Sequence, residues 1–365
     1  MNKKTKKVKI LFFILSAALS IGLYAVPSSA SSKAVVRDTP EPDRLTRSDA
    51  VKFSIERSSE LKNLDENAYI NELNRSSLES AKVESITETQ YINSLISLFQ
   101  NELRQATFIE NIALQRLAIE FSVTRYFTAV LAAERELYLY DKNLELTKTN
   151  LNITKIKQEL GMVSKNSYDM LKLSYDKDVS NREIKVISID NAYRALNNAI
   201  GTELDKRWTL DAEIEYEPLE EYNLAQYIAD STASNVTVKA KENDLALAKY
   251  RLSVSTDHGA KDELEIGVRQ AERALNDAKK SLNDRLVSGY KEIRSAETQY
   301  ELIENDLSDM LSQLAIKETQ LELGKLTRID VDNYRYQILT VEYRLFGMAS
   351  DHYIKVTQFK NPDLL

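Results

Sequence analysis

The chain has 365 residues, 49 Lys and Arg against 56 Asp and Glu, a formal net charge of −7, eight glycines, five prolines and no cysteine. That acidic balance, with no basic stripe, argues against nucleic acid as a partner; zero cysteine excludes disulfides and thiol chemistry. Two histidines far apart in sequence, His258 and His352, do not make the usual local spacing of a His-based metal site and read as ordinary surface or groove residues.

The first thirty residues read as an export signal. Lys3, Lys4, Lys6, Lys7 and Lys9 precede an apolar run from Ile10 to Val26, and Ser28-Ser29-Ala30 offers small residues for cleavage. The run is also long enough for an uncleaved anchor. No cysteine follows, which rules out a lipoprotein anchor. Cleavage takes the formal charge from −7 to −12 by removing those five lysines. Ser31 to Pro42 is a polar leader.

Between Asp43 and Leu160 there is neither glycine nor proline. Such breaker-free stretches rich in Leu, Ala, Glu, Lys and Gln predict long helices. One is expected over Asp43–Ser85 and another over Glu102–Leu160. Gly161 suits a left-handed C-cap. Ser164 or Asn166 starts a return helix to Ile200, which Gly201 closes. Thr202 to Asn223, the least helical part, holds Trp208, an Ile214-Glu215-Tyr216 alternation and Pro218 and reads as the linker between the copies, with room for a short strand. A second set follows: Leu224–Leu252, a break over Thr256–Lys261, a helix over about Glu263–Leu323, a turn at Gly324, and a return helix to Phe359.

The two sets are copies. Glu159-Leu160-Gly161-Met162-Val163-Ser164-Lys165 returns as Glu322-Leu323-Gly324-Lys325-Leu326-Thr327-Arg328, an offset of 163 residues. Ala133-Glu134, Asp169 and Lys172 return as Ala296-Glu297, Asp332 and Arg335. A duplicated Gly-centred turn means a duplicated helical hairpin. The domains are therefore read as 1–30 signal peptide, 31–42 leader, 43–201 first hairpin repeat, 202–223 linker and 224–365 second repeat.

Heptad rows say how the helices are surrounded. Leu137, Leu144 and Leu151 form one row; Leu139, Leu146, Ile153 and Leu160 form another, two residues on and nearly opposite. Leu307, Leu314 and Leu321, then Ile316 and Leu323, repeat the pair. A two-stranded coiled coil needs one seam. Two seams require neighbours on both sides, as in a ring or layer; a compact bundle is the alternative.

These features resemble the TolC family of outer-membrane efflux ducts. The carriers are Thr124-Arg125-Tyr126-Phe127-Thr128-Ala129-Val130-Leu131-Ala132-Ala133, the two Leu-Gly-x-x-[Ser/Thr] tips, and Val268-Arg269-Gln270-Ala271-Glu272-Arg273-Ala274-Leu275. The resemblance implies an all-α protomer of two tandem antiparallel coiled-coil hairpins. It implies a homotrimeric duct whose tips meet a periplasmic-type adaptor protein on an inner-membrane pump. Gly161, Met162, Val163, Ser164, Gly324, Lys325, Leu326 and Thr327 would then be the docking residues. The alternative is that they only cap and turn helices. By the same resemblance Asp330, with Asp332 nearby, lines the closed mouth of the duct and favours cations there; the competing reading is a helix N-cap or first-turn acid.

One departure stands out. A transmembrane strand needs roughly 9–11 residues. Only Arg251–Lys261 is free between helices in the second copy, and Ile92, Leu95, Ile96, Phe99 and Leu103 in the first follow helical spacing, not alternation. The membrane β-strands are therefore expected to be missing, and insertion in an outer membrane by the family's barrel is not expected.

The leading function is an exported, non-enzymatic duct subunit for efflux or secretion, in the cell envelope outside the cytoplasmic membrane. The alternative is an envelope coiled-coil scaffold that does not conduct. An adaptor would need Gly- and Val-rich β-domains around one hairpin. The carboxylates are interleaved with Lys and Arg on solvated helix faces, as expected of a coiled coil and not of an enzyme. No Gly-rich phosphate loop occurs, so no cofactor or metal is expected and the energy must come from a pump. The tyrosines at 334, 336, 343 and 353 read as packing.

Overall fold

The structure is a computed structural model that describes residues 43–364 except 212, 213, 215, 257, 258 and 260. The signal segment, the leader and His258 lie outside the described residues. Two long hairpins dominate. In the first, α3 (Glu88–Glu159) turns back into α4 (Lys165–Ile200). In the second, α7 (Lys261–Glu322) turns back into α8 (Arg328–Lys360). Shorter helices α1 (Arg47–Arg57), α2 (Ser59–Val83), α5 (Leu224–Ser234) and α6 (Val236–Val254) pack along them. The only strands among the described residues are β1 (Arg44–Thr46) and β2 (Thr209–Asp211), paired in parallel.

Several boundaries differ from the sequence expectation. Asp43–Ser85 is not one helix. Ser58 is extended and its hydroxyl accepts from Leu61 N, so it ends α1 and caps α2. Asn235 does the same between α5 and α6, accepting from Val238 N, which splits the expected Leu224–Leu252 helix. In both places a short polar side chain competes for the backbone without glycine or proline. Helix α3 starts at Glu88, fourteen residues before the expected Glu102. Thr87 and Gln90 form a reciprocal capping box there, and the helix reaches 72 residues, about 108 Å at ~1.5 Å per residue. The described strand of the linker lies at Thr209–Asp211, where it pairs with the distant β1.

The long helices form open strips. Below the middle, α4 packs on α3, α3 on α8, and α8 on α7. Above it, α2 packs on α3, α3 on α6, and α6 on α7. Helix α3 is interior to both strips, and α7 is an edge of both. This explains the heptad rows. On α3 both Leu137-Leu144-Leu151 and Leu139-Leu146-Ile153 are half-buried. On α7 the row of Leu307, Leu314 and Leu321 turns inward, while Ile316 and Leu323 are exposed.

Three apolar clusters hold the strips together. Leu45, Val123, Phe127, Val130, Leu196, Ile200 and Trp208 join α1, the strand pair, α3, α4 and the linker. Leu219, Val238, Leu282, Leu286, Ile293 and Phe359 do the corresponding job in the second repeat. Val123 and Leu286, and Val130 and Ile293, are each 163 residues apart, the repeat offset read from the sequence. Tyr300, Ile303, Leu307, Ile338, Leu345 and Ala349 zip α7 to α8.

Candidate functional site: the hairpin tips and the open edges

Both tips are built the same way. Gly161 and Gly324 have φ of 70° each, a left-handed conformation that a Cβ disfavours. Gly161 N donates to Gln158 O at 3.0 Å and Met162 N to Lys157 O at 2.7 Å. Gly324 N donates to Leu321 O at 2.9 Å and Lys325 N to Gln320 O at 2.8 Å. This Schellman pattern satisfies the last carbonyls of each descending helix. A hydroxyl then starts each return: Ser164 accepts from Ser167 N at 3.1 Å, and Thr327 from Asp330 N at 3.4 Å. A Cβ added at either glycine would meet nothing within 4 Å, so the tips are bare. Met162 and the flanking Leu160 and Leu323 are exposed, and Val163 and Leu326 are half-buried.

The two candidate aperture residues sit close to the second tip but are engaged locally. Asp330 completes a capping box, accepting from Thr327 N at 3.0 Å and Thr327 Oγ1 at 2.6 Å. Those two bonds hold its carboxyl below the usual aspartate range although it is fully exposed. Asp332 accepts from Arg335 Nη1 at 3.0 Å and pairs with Arg328 at 3.6 Å. In the first tip Ser167 stands where Asp330 does, so no such carboxylate occurs there.

A buried polar node, not anticipated from the sequence, ties the linker to the second hairpin. Glu297 accepts from Leu219 N at 2.6 Å, from Arg294 Nη1 at 2.7 Å, and lies 3.0 Å from His352 Nε2. Burial pushes its carboxyl up, but these three partners together outweigh that and hold it below the usual glutamate value. Arg294 also donates to Leu219 O and Glu220 O. Tyr216 stacks on Tyr300 with centroids 3.7 Å apart and leans on the His352 ring. The signal in the sequence was the repeated Ala-Glu pair, but two of its partners come from other elements, the linker and α8. The first copy has its own pin: Trp208 Nε1 donates to Asn197 Oδ1 at 2.8 Å, and Asn197 Nδ2 holds Leu204 O and Lys206 O.

Solved structures share this architecture. An 87% stretch of the chain superposes on CusC (7% identical, 91% of that chain, TM-score 0.64). The same share matches VceC of Vibrio cholerae (10%, 96% of that chain, 0.61) and the open-state MtrE outer-membrane channel of Neisseria gonorrhoeae (12%, 90%, 0.60). The chain has the TolC-like fold. No family model matches it, and neither does any curated protein. Among the described residues of this TolC-like chain no helix is long and apolar enough to cross a membrane, and no group of three or more His, Asp or Glu is disposed to hold a metal ion.

Proposed function

We propose that the protein is a non-enzymatic duct subunit of an envelope efflux or secretion system, exported beyond the cytoplasmic membrane. Its units are the signal segment 1–30, the leader 31–42, the hairpin repeats 43–201 and 224–365, and the linker 202–223. The observation that carries the reading is the open strip α4–α3–α8–α7 with apolar side chains on both outer edges. On α4 these are Met170, Leu173, Ile184 and Ile187; on α7 they are Leu302, Ile316 and Leu323. A monomer leaves both stripes in water. Two different edges joined head to tail make a heterologous contact, which closes into a ring when the rotation allows it. Three copies is the number implied by the resemblance to the TolC family. CmeC and MtrE, two structures of the same fold, are described as outer membrane channels.

In this reading the tips, Gly161–Ser164 and Gly324–Thr327, dock the adaptor of an inner-membrane pump. Their bareness and small residues let another backbone approach closely. Asp330 and Asp332 sit at the tip end of the return helix, where a ring of copies would gather them near the mouth. The test is a cysteine at Lys325 in cells carrying the neighbouring adaptor, since the chain has no other cysteine. The expected result is an adaptor adduct, together with a trimer with a central hole in negative stain. A tip that never crosslinks removes the docking assignment.

One observation favours a second reading, an envelope scaffold that does not conduct. The longest strand among the described residues has three residues, far short of the roughly 9–11 needed to span a bilayer. A particle with no central hole would favour it.

A further inference from the structure

The free edges carry more than apolar side chains: they also carry a register. Side-chain contacts across each strip mark which residues lie level with one another. In the tip half, α4 meets α3 at Arg182–Asp141 and at Lys185–Glu136, the latter 2.7 Å. Helix α3 meets α8 where Arg135 lies 3.7 Å over the Phe346 ring. Helix α8 meets α7 at His352–Glu297, Tyr334–Gln313 and Arg335–Glu318, all within 3.0 Å. Following these rungs across puts Ile187 level with Leu302 and Leu173 level with Ile316. All four are about half exposed or more: 56%, 60%, 49% and 59%.

The far half has its own rungs. Helix α2 meets α3 at Glu60–Gln115 and through the reciprocal Asn71–Asn101 pair. Helix α3 meets α6 at Glu110–Lys239 and at the Phe99–Tyr250 rings. Helix α6 meets α7 at Glu242–Lys279 (2.9 Å) and Lys249–Glu272 (3.2 Å). These rungs put Lys62 level with Asp284, and Glu66 level with Lys280. Among the described residues none of these four makes an ion pair within the protomer. Asp284 and Lys280 line a surface groove of about 430 Å³ along α7, with Asp277, Ser281, Arg285 and Ser288.

We infer that the α2–α4 edge of one copy docks on the α7 edge of a second copy of this chain in one register, the copies being related by an axis along the rods. Ile187 and Leu173 meet Leu302 and Ile316 in the tip half. Lys62 and Glu66 meet Asp284 and Lys280 in the far half. This rests on the duct reading and adds what that reading lacks, the partner of each edge residue. The two halves of the seam do different jobs. The apolar half supplies area removed from water. The charges exclude one slip and the apolar side chains the other. A slip of one heptad towards the tip of α7 sets Lys62 against Lys291, a like pair. A slip the other way keeps opposite charges (Lys62 with Asp277, Glu66 with Arg273) but sets Ile187 against Ser295 and Leu173 against Asp309.

The test uses the full chain, whose lack of cysteine makes paired cysteines unambiguous. Lys62→Cys with Asp284→Cys, and Ile187→Cys with Leu302→Cys, are expected to give covalent oligomers on oxidation. Lys62→Cys with Lys291→Cys, one heptad away, is expected to give few. Mass measurement of the unmodified protein runs beside them. An oligomer in which the matched pairs stay unlinked and the shifted pair links overturns the register and leaves the duct reading intact. A chain that stays monomeric overturns both. Charge reversal gives an independent arm. Lys62→Glu is expected to raise the concentration needed for assembly about ten-fold, and adding Asp284→Lys to restore it. Failure of the double variant to recover removes the charged half of the seam.

Discussion

Glu134 and Glu297 hold the same place in the two repeats, 163 residues apart, and meet different surroundings. Glu134 is exposed and accepts one hydrogen bond, from Tyr193 Oη at 2.7 Å. Glu297 is 6% exposed and clasps the linker, Arg294 and His352. The tips show the same split. Their glycines, Schellman bonds and hydroxyl caps are shared, whereas Met162 faces Lys325 and Ser167 faces Asp330 across the alignment of the copies. Duplication has kept what sets backbone geometry and released what sets chemistry. The residues that differ are therefore where one repeat can do something the other does not.

The sharpest way to break this comparison is to remove each glutamate. Glu297→Ala leaves the Leu219 amide and the His352 ring without their partner in a buried site, while Arg294 keeps Leu219 O and Glu220 O, and about 2 kcal/mol of stability should be lost. Glu134→Ala should cost under about 1 kcal/mol, because the Tyr193 hydroxyl keeps Trp208 O as an acceptor at 2.9 Å, no backbone amide loses its partner, and desolvation already pushes the Glu134 carboxyl above the usual glutamate range. Denaturant midpoints for the two variants measure this. Equal losses would mean the linker clasp is not what distinguishes the halves.

Acid should act on the second repeat through the same residue. The folded-state pKa of Glu297 is depressed below the ordinary glutamate value of 4.5. Its contribution is therefore present above pH 4.5 and is lost as pH falls through the depressed value. Melting temperature against pH should fall more steeply below 4.5 in the parent than in Glu297→Gln. Identical slopes would discard the assignment.

The tips should respond alike to backbone strain and unlike to side-chain loss. Gly161→Ala and Gly324→Ala each force a Cβ into the left-handed region with nothing nearby to clash, so each should cost about 1 kcal/mol. A twofold inequality between them would show that one tip is held by contacts beyond its own turn. Smaller still, Asp330→Ala removes the acceptor of the Thr327 backbone N–H and should lower the melting temperature slightly, with Ser167→Ala lowering it less because Ser167 bonds only the Ser164 hydroxyl and not the cap's backbone. Thermal melts resolve both, and an equal cost would erase the chemical difference between the tips.

How much of this was legible in the sequence depended on the range of the interaction. The glycine turns are local, so Gly161, Gly201 and Gly324 and their left-handed caps could be read directly. The capping box at Thr87 and Gln90 is equally local, and it is this cap chemistry, not the apolar spacing, that places the start of α3 at Glu88 and not Glu102. The breaks at Ser58 and Asn235 are harder. Each has an ordinary helical neighbourhood and is decided by one short side chain turning back on its own backbone. The β1–β2 pair and the Glu297 clasp were out of reach. Leu45 finds Leu210, and Glu297 finds His352 and Leu219, across long stretches of chain.

By itself the sequence determined two rods doubled back at glycines, and that each rod has two apolar seams. Heptad spacing and a positive φ are properties of neighbouring residues, so they need no knowledge of the rest of the molecule. It could not say which seam would be covered. Only the packing made α3 an interior helix and left α7 with a row of Leu and Ile in water, because which helix lies beside which is set by contacts between distant segments. The apolar edges left in water, and the levels at which residues on the two edges lie across from one another, exist only once the helices are laid side by side.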